Sequence, residues 1–221
     1  MERPRSHPGS VSSIKIVYWG PGRSGKTANL VALHDSLRPE LRGRLITLDG
    51  PGERTLYFDC LPLEMNGSDG GALHFRLYTV PGQPRFQLTR RLVVPGIDGL
   101  VFVWDSRAFR LAANLASLRE ARETVHGLGR SWEQLPRVFQ YNRQDCPGRL
   151  LPEHLDEVLA AEGEGESPRL PAVAVQGRGV REALGAIARA ALRRRLRPVG
   201  LPEQGAAGRA PQSPTPAMRN A

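Results

Sequence analysis

The chain has 221 residues, 40% apolar and 24% charged, a composition that suits one globular domain with a tail and excludes wholesale disorder, collagen and a coiled coil. Its formal charge of +9 is concentrated at one end: the segment from Arg189 onward holds seven arginines against one glutamate, and the mildly basic remainder gives no reason to expect nucleic-acid binding. Two cysteines make no disulfide framework, no apolar run approaches about 18 residues, and a cytoplasmic location without signal peptide or membrane span is the expectation.

In chain order, residues 1–12 read as a loose arm. The apolar, β-branched run Ile14–Trp19 suits a buried parallel strand. A Gly-rich turn follows, then a helix over Ala28–Leu37 with Leu30, Leu33 and Leu37 at helical spacing. Leu45–Leu48 and Leu56–Leu63 read as short strands around the Gly-Pro-Gly loop Asp49–Glu53. The turn cluster Asn66–Gly71 makes a hairpin of Leu56–Leu63 and Leu73–Val80. Leu100–Trp104 is a second central-strand run. Leu111, Leu115, Leu118 and Val125 mark one face of a helix ending near Gly127 and Gly129. Arg137–Tyr141 is a strand, and Pro152 opens a helix through Ala161. Glu162–Pro168 is an acidic loop, Leu170–Val175 a strand and Val180–Leu196 the last helix. Residues 198–221, rich in Pro, Gly and Ala, are expected to be a disordered tail. Strands alternating with helices predict an α/β fold, a mainly parallel sheet covered on both faces, with ligands at the carboxyl ends of its strands.

The loop after the first strand, Gly20-Pro21-Gly22-Arg23-Ser24-Gly25-Lys26-Thr27, matches G-x4-G-K-[ST] between a strand and a helix. In that setting the amides from Gly20, Gly22, Ser24, Gly25 and Lys26 through Ala28 can wind around a polyphosphate, helped by the helix N-terminus. Lys26 can reach the β- and γ-phosphates, and Thr27 offers its hydroxyl to Mg2+. Lys26 is one of only two lysines among 31 basic residues, which tells against a chance surface lysine.

The nucleotide is read from Asn142-Arg143-Gln144-Asp145, directly after a strand. A carboxylate at Asp145 can accept from guanine N1–H and its exocyclic amine, a donor pair adenine lacks, while Asn142 contacts the base edge and ties neighbouring loops together. Arg143 stands where the N-K-x-D pattern has lysine; its aliphatic stem can still lie along a ring. An ATPase reading competes, because Leu100–Asp105 ends in a carboxylate of Walker B type. Thr79-Val80-Pro81-Gly82-Gln83 closes another strand, with Gly82 placed to offer its N–H to a γ-phosphate and Gln83 to orient water. The usual first residue of that stretch is Asp, which holds Mg2+ through water. Here it is Thr79, so that carboxylate is read as absent and metal binding is expected to lean on other groups.

Taken together, residues 15–27 (KIVYWGPGRSGKT), 54–63 (RTLYFDCLPL), 77–83 (LYTVPGQ), 98–106 (DGLVFVWDS), 140–145 (QYNRQD) and 172–180 (AVAVQGRGV) resemble the Ras-like bacterial polarity GTPases of the gliding-motility type, the MglA-like family. The resemblance implies a P-loop NTPase fold, a Ras-like G domain over 13–197 that cycles between GTP and GDP with Mg2+. It implies that Arg54 is an intrinsic arginine finger, that Thr55 meets Mg2+ and the γ-phosphate, that Gln83 orients the attacking water, and that Val175 lies in the last guanine loop. It also implies a Roadblock-fold (MglB-like) regulatory partner, effector proteins, slow partner-stimulated hydrolysis, and a role in polarity or motility with recruitment to cell poles. The Gly/Pro-rich loop 48–53, Arg143 and the basic tail depart from the family pattern and mark a paralogue. Two other readings stay open: a nucleotide-binding adaptor with negligible hydrolysis, and a regulatory ATPase. The Arg193-Arg194-Arg195 and Arg197 cluster reads as a solvated helix end, or as a weak membrane-surface patch. Lipid anchoring is not expected, since Glu2 follows Met1 and the chain ends without a cysteine. Cys146 reads as a buried, inert thiol.

Overall fold

The computed structural model describes residues 12–48, 58–66, 72–83 and 86–196. Strands β1 (Ser12–Trp19), β2 (Ile46–Leu48), β3 (Phe58–Asn66), β4 (Ala72–Thr79), β5 (Gly99–Asp105), β6 (Arg137–Asn142) and β7 (Arg169–Pro171) form one sheet among the described residues, in the order β2-β3-β4-β1-β5-β6-β7. From β4 to β7 all neighbours run parallel, while β2–β3 and β3–β4 are antiparallel. The helices are α1 (Lys26–Ser36), α2 (Gln87–Val93), α3 (Leu111–Gly127), α4 (Pro152–Ala161) and α5 (Val180–Leu196).

Strand alternation decides how the helices are shared between the faces. Ile14, Ile16 and Tyr18 of β1 join Leu30 and Leu33 of α1 and Val180, Ala183 and Ile187 of α5 in one buried cluster. Val17 and Trp19, pointing the other way, pack with Leu118, Ala121 and Val125 of α3 and Leu155 and Leu159 of α4. Both faces of β5 are covered, so all seven of its residues are buried, as its continuous apolar run requires. This is the P-loop, Ras-like G-domain architecture that the resemblance implies.

The expected elements are present with shifted ends. α1 begins at Lys26, two residues before the apolar spacing starts, because the lysine and threonine of the phosphate loop form its first turn. The short α2 carries no apolar periodicity long enough to reveal it in the sequence. The last strand stops at Pro171, and Ala174–Gln176 is a 3-10 turn instead of strand. The cause lies in β6: the Ala174 N–H is captured by the Asn142 side chain, which diverts the chain from the ladder. The loop after α4 is not simply solvated. Its Glu164 is buried and accepts from Trp132 Nε1 and Arg137 Nε (2.6 Å each) and from Arg122 Nη2 (2.8 Å). Cys146 is half-exposed, contrary to the buried thiol expected. In the C-terminal cluster, Arg195 donates to the Ser13 carbonyl at 2.6 Å, so part of it is structural. The expected arm, the Gly/Pro loop from Asp49 and the tail lie outside the described residues. No helix among those described is long and apolar enough to cross a membrane.

Candidate nucleotide site

The loops that follow β1, β4, β5, β6 and β7 all leave the same edge of the sheet. Because β3 runs antiparallel to β4, the start of β3 reaches that edge too.

The loop after β1 closes on Gly25, whose φ of 105° is left-handed, and a Cβ there would lie 2.1 Å from Asn142 Nδ2. Glycine alone fits both demands. Lys26 is buried and donates from Nζ to the carbonyls of Gly20 and Pro21, 2.8 Å each. Burial pulls its pKa down to about 7, and the nearby Arg90 guanidinium adds to the fall, while Asp59 opposes it. A group held so close to neutrality stands ready for an anion that would restore its charge. Ser24 Oγ is buried and without a hydrogen-bond partner among the described residues.

The segment after β4 lies directly on this loop. Gly22 N–H donates to the Gly82 carbonyl at 3.0 Å, so one amide of the cradle is engaged within the chain. A Cβ at Gly82 would sit 2.4 Å from Gly22 N, which makes glycine necessary here as well. Buried Arg90 of α2 fixes the segment from behind. Its Nη1 donates to the carbonyls of Pro81 (2.7 Å) and Gln83 (2.8 Å), and its Nη2 pairs with Glu120 of α3. Gln83 is exposed and, with Lys26, Thr27, Thr47, Asp59 and Thr79, lines a cavity of about 540 Å3.

The base-loop residues are also brought together. Asn142, buried at the end of β6, donates from Nδ2 to the Ser24 carbonyl (2.7 Å) and accepts from Ala174 N–H at Oδ1 (2.8 Å). It thereby joins the phosphate loop to the loop after β7, as its place in the sequence predicted. Arg143 takes a left-handed φ of 67° and donates from Nη2 to the Arg23 carbonyl at 2.8 Å. Asp145 and Val175 are exposed, Val175 at 79%, and are thus accessible to a ligand.

Two sequence readings change. Asp105, offered as a Walker B carboxylate, is fully buried and taken by arginines. Arg107 pairs with both its oxygens (2.9 and 2.6 Å), and the Nε atoms of Arg110 and Arg143 lie 3.6 Å from Oδ2. It does not line the cavity. Thr79, read as leaving its neighbourhood without a carboxylate, has that of Asp59 of β3 against it. Asp59 Oδ2 accepts from Thr27 Oγ1 (2.7 Å) and Thr79 Oγ1 (2.9 Å), its Oδ1 from Thr47 Oγ1 (3.0 Å), and the Asp59 N–H donates to Thr79 Oγ1 (2.8 Å). These hard oxygens suit Mg2+, which keeps several waters and takes few protein ligands, and no cage of three or more His, Cys, Asp or Glu exists among the described residues.

Asp59, Thr47 and Arg90 are the site residues the sequence reading missed. A signal for Asp59 was present: a hairpin that pairs Asn66 with Ala72 sets Asp59 against Thr79. Arg54 and Thr55 lie outside the described residues, so their proposed roles stay with the sequence.

No family model matches the chain. It is 40% identical over 180 residues to the mutual gliding-motility protein MglA of Myxococcus xanthus (strain DK1622), a span of 81% of this chain and 91% of that protein. With this likeness and the Ras-like fold established, the chain belongs to the MglA family of small Ras-like GTPases.

Proposed function

We propose that this protein is a guanine-nucleotide switch that hydrolyses GTP slowly and is stimulated by a partner. The observation that carries the reading is the Asn142 bridge. One buried side chain locks the phosphate loop to the loop carrying Val175, and Asp145 stands three residues away with its carboxylate open. Such a bridge has a task only where phosphate and base are held together.

In this reading the amides from Gly20 to Ala28 and Lys26 hold the phosphates. Asp145 selects guanine, with Asn142 and Val175 beside the base. Thr27 and Thr55 would hold Mg2+, which supplies charge neutralisation across the β- and γ-phosphates. Gln83 orients water, and Arg54 neutralises charge on the transferring phosphoryl oxygens, a contribution of about 10^3–10^5 in rate where such arginines act. The terminal phosphate competes with the Gly82 carbonyl for the Gly22 amide. Occupancy is thereby coupled to the position of residues 80–83 and, through Arg90, to α2. On α2, Leu88 (75% exposed) and Leu92 (68%) form an apolar patch suited to a covering partner. A Roadblock-fold protein of MglB type fits that role, and the motility named for the Myxococcus relative suggests the process. Residues 13–197 are the G domain in this reading.

The engagement of Asp105 by Arg107 argues against the regulatory ATPase. The test is nucleotide identity and single-turnover hydrolysis on purified protein, with and without a Roadblock-type partner. Lys26→Ala should abolish binding, while Gln83→Ala and Arg54→Ala should bind and lose hydrolysis. Equal competition by ATP removes the guanine assignment. GTP that stays intact for hours with the partner turns the protein into an adaptor.

A further inference from the structure

Gln140 stands two residues before Asn142 on β6, so the two side chains leave the same face of the sheet. That face belongs to the apolar core: Val138, two residues earlier, packs in the cluster shared by α1 and α5. Gln140 is nonetheless fully buried there, and so is Asn29 of α1, which it meets. Gln140 Nε2 donates to Asn29 Oδ1 at 2.8 Å and to the carbonyl of Gly179, just before α5, at 3.3 Å. Its Oε1 has no hydrogen-bond partner among the described residues, so the amide is placed for its two donations. Two aliphatic side chains would fill the same space without a polar cost, and packing alone does not account for the pair.

What the pair does is seen at Gly25. The Gly25 carbonyl accepts from the Asn29 N–H (3.0 Å) and from Asn29 Nδ2 (3.0 Å), so two donors of one residue grip one oxygen. The peptide joining Gly25 to Lys26 is planar and trans, and its carbonyl and N–H point in opposite directions. Lys26 is the first residue of α1, where an N–H has no carbonyl within the helix to bond. Holding the Gly25 oxygen toward α1 therefore aims the Lys26 N–H away from the helix and into the phosphate loop. Gly25 has need of that hold, because its left-handed φ of 105° is one of many conformations open to glycine. At the other end, Gly179 closes the loop that carries Val175, packed so tightly that a Cβ there would lie 2.2 Å from the Pro171 carbonyl oxygen. Residues 140 and 142 are thus two rungs of one ladder: Asn142 ties Ser24 to Ala174, and Gln140 ties Asn29 to Gly179.

We propose that Gln140 and Asn29 form a buried amide relay that presets the Lys26 N–H for a nucleotide phosphate and couples it to the loop beside the base. The inference rests on the nucleotide-site reading above and deepens it. Neither side chain lines the cavity, and both are positioning residues.

The test compares two quantities in the full chain: the dissociation constant for fluorescent GDP in saturating Mg2+, and the urea midpoint without nucleotide. Asn29→Leu removes the side-chain grip on Gly25 and should raise the dissociation constant about 5- to 10-fold. Adding Gln140→Met makes the pair apolar on both sides. The double variant should regain the wild-type urea midpoint, since removing both partners of a buried hydrogen bond is nearly neutral, yet keep the loss of affinity. A double variant that binds GDP within twofold of wild type overturns the inference, as does an affinity that follows the urea midpoint from variant to variant. Should the double variant fail to fold, Gln140→Met alone leaves Asn29 free to turn from Gly25 and should raise the dissociation constant about 3- to 5-fold; unchanged affinity there overturns the inference too. A wild-type chain that binds no guanine nucleotide at all overturns the proposed function instead.

Discussion

Asn142→Asp is the substitution that most directly probes the coupling of the two loops. It is isosteric, so packing stays as it is, but the group facing the Ser24 carbonyl at 2.7 Å changes from a donor to an acceptor. The hydrogen bond is lost, at about 1 kcal/mol, and a buried carbonyl is left facing another acceptor, at about 1–3 kcal/mol more. The Oδ1 partner, Ala174 N–H at 2.8 Å, can persist. The sum, about 2–4 kcal/mol, is taken from the tie that presets the spacing of the two loops, and nucleotide must supply it on binding. At 1.4 kcal/mol per decade, the dissociation constant for GDP should rise about 25- to 700-fold. The assay is equilibrium titration with fluorescent GDP in saturating Mg2+, with circular dichroism confirming the fold. Affinity within threefold of wild type would show that the bridge carries no binding energy, and would remove the support that Asn142 lends to the switch.

Three further outcomes are expected. Glu164→Gln removes the charge that holds Trp132, Arg137 and Arg122 at the amino-terminal end of β6, far from the nucleotide edge, and should destabilise the fold by about 3 kcal/mol without altering GDP affinity; the melting temperature should drop by about 6–12 °C. Gly82→Ala drives a methyl group onto Gly22 N and Pro21 C, each 2.4 Å from the Cβ position, and should release the Gly22 amide, so that hydrogen exchange in residues 20–27 of the nucleotide-free chain quickens by about fivefold or more. Burial, and then the bond from its hydroxyl to Asp156 (2.6 Å), hold the Tyr141 phenol well above its ordinary value of 10.0. The folded state therefore keeps a proton that the unfolded state gives up above that value, and the stability gap between wild type and Tyr141→Phe should be full below pH 10 and shrink as the pH climbs past it; a gap in urea midpoints that is constant on both sides of pH 10 contradicts this.

The parts of the site that are legible in the sequence are those whose chemistry is local. Eight consecutive residues build the phosphate loop, because a nest of amides needs neighbouring peptides and a left-handed glycine, and both are written in the order Gly25-Lys26-Thr27. Asn142 and Asp145 are legible for the same reason, lying in one turn after an apolar run. The strands β1 and β5 and the helices α3, α4 and α5 are legible from periodicity, which is also local. What escapes is α2, too short for any period, and the end of β7, where a side chain 32 residues away takes the amide that a strand would have used.

Asp59 escapes for a further reason. Taken alone it is one acidic residue on the same face of an alternating strand as Leu61 and Leu63, and the alternation that buries it names no partner for it. Its meaning depends on three pairings at once: Thr47 against it on β2, Thr79 against it on β4, and Thr27 brought up beneath by the helix that follows β1. Along the chain alone, position 79 offers a hydroxyl and no carboxylate. Strand pairing places atoms of two distant positions within 3 Å of each other, so a charge can move from one strand to its neighbour and leave the chemistry where it was. A motif defined along the chain therefore undercounts the site in any sheet whose neighbouring strand runs antiparallel into it. Register arithmetic across the hairpin supplies what the motif omits: counting back from a turn that pairs Asn66 with Ala72, each step along β3 is matched by one along β4, and seven steps set Asp59 opposite Thr79.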